Sequence, residues 1–63
     1  MASDNILTME EARAVVRAVL PQGRILATGA RGSWTVQREK DLAMADELSV
    51  TYPSGVRRVF VLV

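Results

Sequence analysis

Apolar residues recur along this chain with two different periods, and the change from one to the other divides it into elements. Ala12, Val15, Val16, Val19 and Leu20 follow three- and four-residue spacings, while Glu10, Arg13 and Arg17 fall on the other side of the same wheel. This predicts an amphipathic helix over residues 9–20. Thr8 with Glu11 three residues on reads as a capping box, and Leu7 is placed to pack on Ala12 as a hydrophobic staple. Pro21 disfavours helix at the residue before it and Gly23 accepts turn geometry, so the helix stops there. Residues 1–7 read as a loose lead-in.

From residue 24 the period shortens to two. Two β-prone runs flank Gly29-Ala30-Arg31-Gly32, which predicts a hairpin over 24–37 with Thr28 opposite Ser33, Ala27 opposite Trp34 and Ile25 opposite Val36. That register gathers Ile25, Ala27, Trp34 and Val36 on one face. Arg24, Thr28, Ser33, Thr35 and Gln37 take the other, with Leu26 as the exception. A second hairpin is predicted over 47–63. Pro53 suits the first central position of a type I turn and Gly55 the left-handed residue that closes a three-residue loop. Counting outward sets Tyr52 against Val56, Val50 against Arg58 and Leu48 against Phe60. Leu48, Val50, Tyr52, Val56, Phe60 and Leu62 then share a face that only Arg58 interrupts; it either snorkels to the sheet edge or meets a partner's carboxylate.

The last strand, "RRVFVLV", is apolar on both sides. Phe60 and Leu62 point one way, and Val59, Val61 and Val63 the other. One small core needs only one apolar face. The valine stripe is therefore expected to meet a second subunit or another protein, unless the intervening segment "REKDLAMADE", read as a short helix or helical turn near 39–46, folds over it. The fold class expected is α+β: one N-terminal amphipathic helix packed on a small antiparallel sheet of two hairpins, about four strands, in a single domain over 1–63.

Composition strengthens the case for association. A chain of about 60 residues buries only about 60% of the surface its unfolded form exposes. With neither cysteine nor histidine among its 63 residues, this one has no disulfide and none of the usual zinc ligands to reinforce it. A hydrophobic content of 49% with 24% charge is that of a folding chain. No apolar run approaches the roughly 20 residues of a membrane span, and the start lacks the pattern of a secretory signal, so a cytoplasmic location is the default expectation and no membrane partner is implied.

Candidate chemistry is sparse. Lacking histidine and cysteine, the chain lacks the commonest general base and the strongest nucleophile. Asp41, Asp46 and Glu47 read as solvated surface, and "GARGS" has neither the spacing nor the lysine of a P-loop, so no cofactor, metal or catalytic residue is assigned. Trp34 and Tyr52 fall on the core faces and read as anchors. Two functions from different classes remain. One is a non-enzymatic protein-interaction or regulatory module, homodimeric through its C-terminal strand at Val59, Val61 and Val63. The other is a nucleic-acid-binding module that contacts phosphates with Arg24, Arg31, Arg38, Lys40 and Arg57 from the polar sheet face and loops. A net charge of +1 favours the first, because dedicated nucleic-acid binders carry a much stronger basic footprint.

Overall fold

The computed structural model describes residues 5–63. Helix α1 spans Met9–Val19, one residue shorter than its periodicity implies because Leu20 is already extended as the C-cap. The capping box is present. Glu11 donates its backbone N–H to Thr8 Oγ1 at 3.1 Å, and Thr8 donates its own to Glu11 Oε1 at 2.9 Å, which satisfies two donors that a helix start would otherwise leave open. At the other end Gly23 donates to the Val19 carbonyl at 2.7 Å. A Cβ on Gly23 would run into the Thr51 carbonyl oxygen and the Val19 side chain, so only glycine lets the chain leave the helix this close to the sheet.

The strands are β1 (Ile6–Leu7), β2 (Arg24–Gly29), β3 (Gly32–Thr35), β4 (Glu47–Thr51) and β5 (Arg57–Leu62). They form one sheet in the order β1-β5-β4-β2-β3. Both hairpins have the expected registers. Ala27 faces Trp34 and Thr28 faces Ser33, while Leu48 faces Phe60 and Val50 faces Arg58. Gly55, at φ 95°, closes the second loop by donating to the Tyr52 carbonyl at 2.8 Å, and Tyr52 in turn donates to the Val56 carbonyl. This is the left-handed position that glycine occupies without steric cost.

One expectation needs correction. The sheet has five strands and is mixed, because Ile6 and Leu7 of the supposed lead-in pair in parallel with Val61 and Leu62. A two-residue strand is too short to show a period; it forms because the outer edge of β5 offers backbone partners, as when Val63 donates to the Leu7 carbonyl at 2.9 Å. Residues 1–4 of the lead-in lie outside the described residues. The segment "REKDLAMADE" forms the helical turn expected near 39–46. Its helical part is a short 3-10 turn, Glu39–Leu42, and it packs on the helix side of the sheet, leaving the valines uncovered.

The core lies between that side of the sheet and α1. Ile25, Ala27, Val36, Leu48, Val50 and Phe60 enter it from the sheet, Ala12, Val16 and Val19 from the helix, and Leu42 and Ala45 from the segment after β3. Trp34 Nε1 donates to the Asp41 carbonyl at 2.8 Å, and Arg17 pairs with Glu39 at 2.9 Å, so the 3-10 turn is fastened to both layers. That ion pair is exposed and contributes at most about 1 kcal/mol. Arg58 sits opposite fully buried Val50 yet is itself exposed, carrying its guanidinium to solvent beside Tyr52 and Val56.

Replacing Leu48, which has no exposed surface, with Ala will leave the chain largely unfolded at 25 °C. The loss of about 2–5 kcal/mol typical of such truncations matches the roughly 3–5 kcal/mol that a core of this size supplies. A chemical-denaturation midpoint close to that of the wild type would contradict it. Gly23→Ala will also lower the midpoint, whereas Ala on the exposed position Ser54 will not.

Candidate functional site

Pleating sends alternate residues of each strand away from the core, and no other element covers that second face among the described residues. The cross-strand partners set it out in rows. The first runs Ile6, Val61, Glu47, Thr28, Ser33 across the five strands. The second runs Val59, Ser49, Leu26, Thr35, and the third Arg57, Thr51, Arg24. Val63 continues the β5 stripe beyond Val61 by the same alternation.

Aliphatic side chains on this face are well exposed: Val59 51%, Val61 47%, Val63 76%, Ile6 45% and Leu26 40%. Single exposed apolar residues are ordinary on a soluble protein. Here Ile6, Val61 and Val59 adjoin one another, and Leu26 lies across the small Ser49 in the same row as Val59. Contiguous exposed apolar surface of this kind is the feature from which an interaction surface is argued. The valines were legible from the alternation of "RRVFVLV". Ile6 was not, because it belongs to the strand that sequence periodicity missed, and Leu26 stood out only as the one apolar residue in a polar set.

The five basic candidates do not form one patch. Arg24 and Arg57 flank Thr51 on the open face, at the start of β2 and of β5. Arg31 lies at the opposite end of β2, in the β2–β3 turn, and shares a hollow with Lys40, Trp34, Asp41 and Met44. Arg38 immediately precedes the 3-10 turn. The Asp41 carboxylate in that hollow already accepts two backbone N–H groups, from Gln37 at 2.9 Å and Arg38 at 3.2 Å. These hydrogen bonds, the one from Gln37 foremost, hold its pKa below the ordinary aspartate value of 3.8, with the charges of Arg38 and Lys40 acting in the same sense and partial desolvation opposing them. Asp41 therefore acts as a local brace, organising the turn that carries Lys40.

Among the described residues no three acidic side chains converge as a metal site would require. Nor is any helix among the described residues long and apolar enough to cross a membrane. No protein-family model matches the chain, and comparison with curated proteins and with solved structures finds no match. The open sheet face and the Arg31–Lys40 hollow are thus the two surfaces from which a function can be argued.

The Asp41 brace makes a pH prediction. Because its carboxylate titrates lower in the folded than in the unfolded chain, it contributes stability that is fully present above the ordinary aspartate pKa and is lost as pH falls through the depressed folded value. Denaturation midpoints will therefore fall less steeply for Asp41→Asn than for the wild type as pH is lowered below 3.8. Parallel profiles for the two proteins would show that the carboxylate charge is not what braces the turn.

Proposed function

We propose that this protein is a non-enzymatic protein-interaction module that works as a homodimer through the open face of its sheet, with Val59, Val61 and Val63 at the contact. The observation that carries this reading is the adjoining set of exposed aliphatic residues, Ile6, Val61 and Val59, on a face that no element of the described chain covers. Burying a valine fully is worth roughly 1.5 kcal/mol or more, and a chain this short has few other places to gain it. A second copy is the favoured occupant because the face carries both signs of charge, Glu47 with Arg24 and Arg57, and so suits its own kind. The absence of histidine and cysteine from the sequence supports the non-enzymatic part of the reading.

A second reading has one observation in its favour. Arg31 and Lys40 line a common hollow beside the Trp34 ring, an arrangement suited to a phosphate next to a stacked base. Against it, Arg24 and Arg57 lie at the far end of the strands, so the cations offer no continuous track for a nucleic-acid backbone.

Sedimentation equilibrium at micromolar concentration will show a dimer for the wild type and a monomer for Val61→Glu, which places a carboxylate within the aliphatic set. A monomeric wild type removes the homodimer. If instead the wild type binds random single-stranded nucleic acid with a steep salt dependence that is flattened in the Arg31→Ala, Lys40→Ala double variant, the second reading replaces the first.

A further inference from the structure

We infer that the two copies pack open face to open face about a two-fold axis lying along the row Val59, Ser49, Leu26, so that Glu47 of each copy enters between Arg24 and Arg57 of the other. This arrangement rests on the homodimer reading and specifies its geometry. Successive rows on one face are two residues apart, about 6.6 Å, and packed sheets lie about 10 Å apart. A rotation about the middle row exchanges the rows on either side of it. The row containing Val61 and Glu47 is thereby laid over the row containing Arg57, Thr51 and Arg24.

Several complementarities follow together. Val59 meets Val59 and Leu26 meets Leu26, which places apolar surface on apolar surface at the centre. Val61 comes over the aliphatic stem of Arg57. Glu47 comes over Thr51, whose β-strand neighbours on the two sides are Arg57 and Arg24, so that one carboxylate is held between two guanidinium groups, twice by symmetry. Long side chains close the distance between the sheets, and Arg presents a fork that suits a carboxylate.

The charges also disfavour the axis perpendicular to this one. A two-fold running along β4 would equally bring Val59 over Leu26, so apolar matching alone does not choose between the axes. It would, however, lay Arg57 over Arg24 and Glu47 over Glu47. Like charges would then face one another at every charged position. Of these two axes it is rotation about the middle row that pairs opposite signs, and because the contact is isologous it closes at two copies, with Ile6 and Val63 left at its margin.

The test is a charge exchange on the full chain, read by sedimentation equilibrium with one variant carrying a mass tag. Glu47→Arg and the double variant Arg24→Glu, Arg57→Glu each gather like charges in both halves of the contact, and each will raise the dimer dissociation constant at least tenfold. Mixed in equal amounts, the two will form a heterodimer within about threefold of the wild-type affinity, since every contact then pairs opposite charges. That recovery also shows both variants to be folded. A mixture that associates no better than its components overturns the axis, as do single variants that dimerise like the wild type. If those indifferent variants come from a wild type that Val61→Glu dissociates, the homodimer survives with a different geometry. A monomeric wild type overturns both.

Discussion

Everything in this fold depends on a five-stranded sheet having to bury one of its faces with a single helix of 11 residues. Such a helix is about 16 Å long and about 10 Å across with its side chains, whereas five strands at about 4.8 Å spacing span about 19 Å between the outermost two. The helix alone is too narrow. The segment after β3 completes the layer, bringing Leu42 and Ala45 into the core alongside Val16 and Val19. Trp34 ties that segment to the sheet, its ring against the core and its indole N–H on the Asp41 carbonyl.

Among the described residues, that segment and the helix both lie on one side of the sheet, and none lies on the other. Aliphatic side chains on that second face are consequently exposed in the single chain. This exposure is what supports the proposal that the open face, and not a cleft, is where the protein meets a partner. The charges distributed among those aliphatics matter for the same reason, because on a flat apolar surface they are what can select one partner and one orientation over others.

The hairpins and the helix were legible because the signals that specify them are local. Thr8 and Glu11 are three residues apart, Pro53 and Gly55 fix one loop, and the alternation of Ile25, Ala27, Trp34 and Val36 fixes the other register; no distant contact is needed to read them. The edge strand Ile6–Leu7 escaped because its partner lies 55 positions along the chain and two residues cannot display a period. Neither could periodicity decide on which side of the sheet "REKDLAMADE" would fold. Its few apolar residues suited either face, and the choice fell to the unfilled width beside the helix.

The sequence by itself determined the helix, the two hairpins with their registers and the existence of a valine stripe facing away from Leu48 and Phe60, since each follows from neighbours within a turn or a strand pair. Only the tertiary structure decided that β4, already paired with β5 in its hairpin, takes β2 as its other neighbour. That non-local pairing puts Leu26 in line with Val59, brings Arg24 and Arg57 to either side of Thr51, and sets Glu47 two rows from them. It also separated Arg31 and Lys40 from Arg24 and Arg57. Sequence spacing carries no information about which edges of two hairpins will join, because that choice is made by how their apolar faces fit together under one helix; the pattern of charge on the open face is its consequence.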